Sequence, residues 1–148
     1  MPGIPSVYYG SEYGIKGKRT PYCDDDIRIP IPPFISTIPD WASPNINPNL
    51  LEKTIEMLCK IRKSSKALIH GDFKIEKVTK TFISFRRWYE DEIVILGINS
   101  GSEIEYMQLE ETEMLDLFTG EKHSTHNGIF TFQPNEIYLM RNKNSKIN

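Results

Sequence analysis

The chain has 148 residues, of which 39% are hydrophobic and 26% charged, so it has room for one ordinary soluble domain. Its formal net charge of −2 gives no electrostatic case for binding nucleic acid or an anionic membrane. The sequence has no apolar run of about eighteen residues, so no membrane-spanning helix is predicted, and no secretory signal follows Met1.

The first predicted element is a short buried strand over residues 4–9, which runs into a long connection over residues 10–49. The strand combines β-branched and aromatic residues, and its prolines lie only at its start. The connection contains Gly10, Gly14 and Gly17 and most of the prolines of the chain. An irregular connection of this length is uncommon inside a compact domain unless it has a function.

A helix is predicted from Pro48 to about Ser65. Asn47 is a favourable N-cap, and proline suits the first helical position. Acidic residues lie early in this segment and basic residues late, which complements the helix dipole. Apolar residues follow at helical spacing, namely Leu51, Ile55, Leu58 and Ile61.

From Gly71 onward the hydrophobic pattern has a period of two, which predicts several short antiparallel strands. Asn127 and Gly128, between two alternating runs, are a strong signal for a β-hairpin. Turns about every ten residues favour a β-sandwich, followed by a polar tail over residues 142–148. The predicted strands cover residues 73–78, 82–88, 93–98, 104–107, 114–118, 129–133 and 137–141.

The first segment resembles the last barrel strand and the following loop of the α-amylase family of glycoside hydrolases, glycoside hydrolase family 13. The shared pattern is Pro-Gly-x-Pro-x-x-Tyr-Tyr-Gly-x-Glu-x-Gly, which this chain has over residues 2–14. In the family an Asp-x-x-Arg element and a proline follow. An aspartate of the 24–26 run, then Arg28 and Pro30, resemble that element.

The rest of the chain resembles the same family. Residues 58–68 are similar to the end of the last barrel helix, and residues 115–121 with the Asn127–Gly128 pair are similar to the C-terminal β-domain. The resemblance implies an α+β fragment with two parts. Residues 1–67 would be the last strand, loop and helix of a TIM (β/α)8 barrel, and residues 68–148 an antiparallel Greek-key β-sandwich.

The resemblance also implies where the catalytic residues are. In the family, an Asp nucleophile, a Glu acid/base and a stabilising Asp follow the fourth, fifth and seventh barrel strands. None of those motifs occurs here, and a complete barrel needs about 250 residues. The chain alone is therefore predicted to be inactive, without cofactor or metal, and to complete the barrel and the sugar-site wall of a parent enzyme.

That parent is expected to act on an α-glucan or maltooligosaccharide, as a neopullulanase, maltodextrin glucosidase or amylase does. The partner of this chain would be the remainder of the catalytic barrel. The alternative is a free-standing, non-catalytic carbohydrate-binding or interaction module. The two unpatterned cysteines, Cys23 and Cys59, suggest free thiols in a reducing compartment, so a cytoplasmic location is expected.

Four residues are predicted to bind substrate, namely Glu12, Tyr13, Asp26 and Arg28. Glu12 follows the barrel strand at the end where barrel active sites lie, or it anchors the glycine loop by accepting backbone N–H groups. Tyr13 stacks on a sugar or packs in the core. Arg28 contacts sugar hydroxyls or pairs with an aspartate of the 24–26 run, and that run shapes the loop or the rim of the sugar site.

Three further side chains were considered for binding. His123 and His126 have zinc-like spacing but no Cys or acid in pattern, so a hairpin surface is predicted for them. Trp88 is interpreted as a packing residue, with glycan binding on the sandwich surface as the alternative.

Overall fold

The computed structural model of the chain describes residues 3, 5–8, 10–15, 17, 20–23 and 48–142. Among these residues, no helix is long and apolar enough to cross a membrane. The helices are a 3-10 helix (Ser11–Tyr13), α1 (Pro48–Lys63) and α2 (Lys66–His70). The strands are β1 (Asp72–Val78), β2 (Phe82–Tyr89), β3 (Glu92–Asn99), β4 (Glu105–Gln108), β5 (Glu113–Asp116), β6 (Lys122–Ser124), β7 (Ile129–Phe132) and β8 (Glu136–Asn142).

The chain forms two compact units, one over Gly3–Lys60 and one that contains Ile61–Asn148. In the first unit, residues 5–8 are exposed and belong to no strand, so the described part of the 4–9 segment has no sheet partner. A parallel strand exists only with neighbours, because its hydrogen bonds are all made to other strands. The assignment of residues 1–67 to a barrel and 68–148 to a sandwich stays a prediction.

A second helix directly follows the predicted one. α1 begins at Pro48 as expected and ends at Lys63, two residues before the expected end. Ser65 is buried and caps α2, because its Oγ accepts a hydrogen bond from the backbone N–H of Leu68 at 3.1 Å. The predicted helix end is therefore the start of a second, five-residue helix.

The strands form two antiparallel sheets. The larger sheet has six strands in the order β1-β2-β3-β8-β5-β6, and the smaller one pairs β4 with β7. β2 and β3 are in unbroken register from Phe82–Asn99 to Tyr89–Glu92, whereas β1 has a bulge between Ile75 and Lys77. This arrangement confirms the predicted antiparallel sandwich.

The main core lies between the two sheets and is centred on Phe132, which is fully buried. Its ring centroid is 4.9 Å from that of Phe82, 4.8 Å from that of Phe130 and 5.3 Å from that of Tyr138. These tilted and edge-on arrangements are the favourable geometries for aromatic pairs. The remaining members of the cluster are Ile95, Met107, Leu109, Met114 and Met140.

A second cluster covers part of the outer face of the larger sheet. Ala67 of α2 packs with Val94 and Leu139, and Ile61, Leu68 and Leu96 surround them. Polar contacts fix this helix on the sheet. The backbone N–H of Ala67 donates to Glu92 Oε2 at 2.8 Å. Arg87 donates to the carbonyl oxygens of Leu68 at 3.0 Å and Gly71 at 2.6 Å.

The same outer face continues as a row of apolar side chains, here called the outer apolar row. Val78, Ile83, Ile98 and Ile137 are directly opposite one another on four adjacent strands. Opposed residues in an antiparallel sheet share a face, so these side chains form one continuous stripe. Val78 is 60% exposed, Ile83 39% and Ile137 56%.

Two details of the strands differ from the prediction. The predicted strand 114–118 ends at Asp116, because Asp116 Oδ1 accepts hydrogen bonds from the backbone N–H groups of Phe118 at 2.7 Å and Thr119 at 2.9 Å. Such an Asx turn diverts the chain from the sheet. β6, the three-residue strand after this turn, was not predicted.

The Asn127–Gly128 turn is present, but the hairpin prediction is wrong for the strands around it. Both residues have positive φ, 53° and 75°, as a type I′ turn requires. One bridge between His126 and Ile129 closes the turn. Beyond that bridge, β6 pairs with β5 and β7 pairs with β4. The turn is therefore a corner at which the chain passes from one sheet to the other.

We predict that Gly97→Ala destabilises the sandwich. A Cβ at Gly97 would lie 2.2 Å from Cε1 and 2.7 Å from Cδ1 of the buried Phe132 ring. Overpacking of this kind should lower the free energy of unfolding by about 1–3 kcal/mol, measured by urea denaturation of the full chain. Because Phe132→Leu removes the outer ring carbons, Gly97→Ala should cost less in that background. Additive losses in this double-mutant cycle would contradict the steric explanation.

We also predict an alkaline transition that depends on Tyr138. Burial, assisted by the hydrogen bond to Glu136 at 2.5 Å, raises the pKa of Tyr138 from 10.0 to about 12. The folded state therefore holds this proton more tightly than the unfolded state. The resulting stabilisation, up to about 3 kcal/mol, is complete below pH 10 and is lost as the pH rises towards 12.

Tyr138→Phe should flatten the loss of unfolding free energy between pH 10 and 12, because it removes the titrating group. Tyr106→Phe is the matched control, since Tyr106 is exposed on β4. An alkaline slope that is the same in Tyr138→Phe and in the unmodified chain would show that Tyr138 does not cause it.

Candidate functional site

The described part of the glycine loop is a tight turn. Residues Ser11–Tyr13 form one turn of 3-10 helix between Gly10 and Gly14, whose φ angles are 81° and 68°. The backbone N–H of Ile15 donates to the carbonyl oxygen of Gly10 at 3.1 Å, and a Cβ at Gly10 would lie 2.2 Å from Ile15 Cδ1. The turn therefore depends on glycine at position 10 and holds Glu12 and Tyr13 on adjacent positions.

Tyr13 is linked to α1. Its hydroxyl donates a hydrogen bond to Glu52 Oε1 at 3.3 Å. Burial, and then the charge and the hydrogen bond of Glu52, raise the pKa of Tyr13 above its ordinary value. The tyrosine ring is half-buried, so part of it remains accessible. Its predicted stacking on a sugar stays a prediction.

Glu12 lies on the same turn and is half-buried. Its Oε2 atom is buried and has no hydrogen-bond partner in the part of the chain that the structure describes. The N–H groups of Tyr13 and Gly14 donate to the carbonyl oxygens of Gly10 and Ser11, both at 3.1 Å. Backbone groups therefore close this turn, and the substrate-binding role of Glu12 is an open prediction.

The other two predicted substrate-binding residues, Asp26 and Arg28, lie outside the described residues, as do Asp24 and Asp25. The described chain before them ends in a turn, in which Thr20 Oγ1 donates to the carbonyl oxygen of Cys23 at 3.0 Å. The structure thus brings Tyr13 to Glu52 and leaves the predicted roles of Asp26 and Arg28 as predictions.

A cleft on the sandwich was not predicted. Its volume is about 670 Å³, and it is lined by residues of β1, β2 and β3 on one side and by the end of β4 and the two residues after it on the other. Arg86 connects the two walls of the cleft through hydrogen bonds. Arg86 Nε donates to Glu76 Oε1 at 2.9 Å, and its two terminal nitrogens donate to Glu111 at 2.6 Å and 3.3 Å. Trp88 lies beside Arg86 in this cleft and is half-buried.

The sequence contained one signal for this cleft. The period-two pattern of β2 places Phe82, Ser84, Arg86 and Trp88 on the face that packs on the core, and a charged residue there requires partners. Those partners, Glu76 and Glu111, come from other segments, and no local pattern identifies them.

The histidine spacing has a structural explanation. His123 is half-buried and packs edge-on against Phe130 and Tyr138, with ring centroids 5.8 Å and 5.6 Å apart. His126 is exposed, as predicted for a hairpin surface, whereas that prediction is wrong for His123. In the described ranges, no group of three His, Cys, Asp or Glu residues could hold a metal ion. Cys59 is an exposed free thiol on α1.

Comparison with curated proteins finds a maltogenic amylase and a cyclomaltodextrinase among the relatives, although no protein-family model matches the chain. The chain is 24% identical to the intracellular maltogenic amylase of Bacillus subtilis (strain 168), over 93% of this chain and 23% of that protein. It is 26% identical to the cyclomaltodextrinase of Thermoanaerobacter pseudethanolicus, over 94% of this chain and 22% of that protein. The chain thus spans under a quarter of the length of these relatives.

Comparison with solved structures supports the fold. The α-amylase of Geobacillus thermoleovorans, solved with acarbose, matches with a TM-score of 0.70 at 18% identity, over 98% of this chain and 31% of that one. AmyP in complex with maltose matches with a TM-score of 0.55 at 20% identity, over 74% of this chain and 24% of that one. These matches confirm a fold shared with the C-terminal β-sandwich of such enzymes.

We predict that Glu52→Gln reverses only part of the rise in the pKa of Tyr13. Burial is the largest cause of that rise and would remain, whereas the charge of Glu52 and its hydrogen bond are the next two causes. The measurement is an NMR titration of the Tyr13 ring. Glu56→Gln, one turn further along α1, is the matched control, because Glu56 pairs with Lys60 at 2.7 Å. Equal effects of the two substitutions would contradict a specific Tyr13–Glu52 contact.

Proposed function

We propose that this chain belongs to the α-amylase family of glycoside hydrolases and is the C-terminal segment of a longer, α-glucan-active enzyme. The relatives named above are a maltogenic amylase and a cyclomaltodextrinase, and the chain corresponds to under a quarter of each. The sequence contains none of the three catalytic acid motifs of the family. In this proposal the chain completes the barrel and forms one wall of the sugar site, and it is inactive alone.

The outer apolar row is the observation that carries this proposal. α2 and Ile61 cover the neighbouring part of the same sheet face, but Val78, Ile83 and Ile137 remain exposed. Soluble proteins rarely leave such a stripe uncovered, because burial of each side chain stabilises by about 1.5–3 kcal/mol. We propose that the remainder of the catalytic barrel covers this row.

The glycine loop would then be part of the sugar-site wall. The Tyr13–Glu52 hydrogen bond connects the loop to α1, and Glu12 lies on the same turn with a buried carboxylate oxygen. Strand-to-helix loops form the active-site face of a barrel. We therefore propose Glu12 and Tyr13, with Asp26 and Arg28 further along the loop, as contacts to an α-glucan.

We predict that the purified 148-residue chain does not hydrolyse a chromogenic maltoside. The same chain, extended upstream through its own coding sequence to include the three acids, should be active. Glycosidase activity that remains with the 148-residue chain through repurification, and that disappears on mutation of Asp25 or Asp26, would overturn the proposal. A coding sequence without the acids, in a chain that binds glucans, would favour the free-standing module.

The extended enzyme also tests the outer apolar row. Ile83→Asp and Ile137→Asp should lower its melting temperature clearly, because they place charges in the proposed interface, and should change that of the 148-residue chain less. Ile104→Asp is the control, since Ile104 is 42% exposed and lies outside the row. Equal effects in both proteins would show that the barrel does not cover the row.

A further inference from the structure

We propose that the sandwich cleft beside Trp88 is a second carbohydrate site, which binds a short, neutral α-glucan without transforming it. Its lining residues lie on β1, β2, β3, the β2–β3 turn, the end of β4 and the two residues that follow β4, so the cleft is separate from the glycine loop in sequence. The side chains of the cleft favour a neutral oligosaccharide as the ligand. The choice of an α-glucan among neutral oligosaccharides rests on the proposed function.

The cleft exists because the two sheets differ in length. β2 and β3 have eight residues each, whereas β4 and β7 have four. At about 3.3 Å per residue, the smaller sheet covers about 13 Å of an inner face that is about 26 Å long. The smaller sheet covers Ser84, whose Oγ is 3.2 Å from Sδ of Met107 on β4. Arg86 and Trp88 lie further along β2, where they line the cleft.

Trp88 supplies the surface on which a sugar ring can stack. The residue is opposite Ile93 of β3, which packs against the main core, so its backbone position is fixed by the sheet. A tryptophan that is half-buried keeps part of its apolar ring accessible and has a polar N–H at one edge. The volume of about 670 Å³ is within the range of small-molecule sites.

The polar groups favour a neutral ligand over an anion. Arg86 is paired with Glu76 and Glu111, and Lys74 with Glu76 at 3.1 Å, so neither cation in the cleft is without a carboxylate partner. Glu110 adds a further negative charge, which repels phosphates and other anions. Gln108 and Glu110 are exposed on the opposite wall, where an amide and a carboxylate can bond to hydroxyl groups.

Arg86 acts as a positioning residue for this site. Its bidentate pair with Glu111 joins β2 to the segment after β4, and its bond to Glu76 joins β2 to β1. Arg86, Glu76 and Glu111 are all largely buried, so the pairs are weakly screened by solvent. The distance between the tryptophan and the wall with Gln108 is thereby set before any ligand arrives.

The test uses the 148-residue chain with Trp41→Phe, so that Trp88 is the remaining tryptophan of the two in the sequence. Titration with maltoheptaose should change the Trp88 fluorescence in a saturable way, equally at low and high salt, because the ligand is uncharged. Absence of a saturable change in the folded chain, or its loss at high salt, would overturn the proposal.

Variants of the otherwise unmodified chain are compared by retardation in native gels that contain soluble starch. Trp88→Ala should weaken binding tenfold or more, as truncation of a central tryptophan does, and Gln108→Ala and Glu110→Ala should each weaken it several-fold without affecting the fold. Tyr106→Ala, which removes an exposed aromatic ring outside the cleft, should bind as before. Normal retardation of both Trp88→Ala and Gln108→Ala would overturn the proposal.

Failure of this proposal and failure of the proposed function give different results. A chain that fails to bind maltoheptaose can still be part of an active enzyme once the upstream acids are found. Conversely, binding that depends on Trp88 stands even if no acids are encoded upstream.

Discussion

The unbroken register of β2, β3 and β8 is the constraint on which the rest of the sandwich depends. Along these strands successive residues face opposite sides of the sheet, so a slip of one residue would exchange the core and the outer face. The observed register directs Phe82, Ile95 and Met140 to the core. It directs Ile83, Ile98 and Ile137 to the outer face, where they form the outer apolar row.

Asn99 shows how the end of this register is fixed. The residue is almost fully buried, opposite Phe82, and its side chain makes three hydrogen bonds. Its Nδ2 donates to the carbonyl oxygens of Glu103 at 2.8 Å and Phe132 at 3.2 Å, and its Oδ1 accepts from the N–H of Gly101 at 3.1 Å. One buried amide thus joins the larger sheet, the following loop and the smaller sheet, with its desolvation offset by these bonds.

The strands of the sandwich could be predicted because their alternation is local. β6 could not, since three polar residues carry no alternating pattern, and α2 could not, since five residues are too few to show helical spacing. Contacts between distant segments could not be predicted because no local pattern links their residues. The ion pair of Arg86 with Glu111 and the hydrogen bond of Tyr13 to Glu52 join residues 25 and 39 positions apart.

The edge strands of the larger sheet, β1 and β6, limit how two copies of this chain can pair through their sheets. β1 is interrupted by the bulge between Ile75 and Lys77, and β6 has only three residues, with Lys122 at its start. Bulges, lysines and short strands on sheet edges hinder the addition of a further strand. The edges of the larger sheet therefore resist the strand-by-strand growth that leads to fibrils.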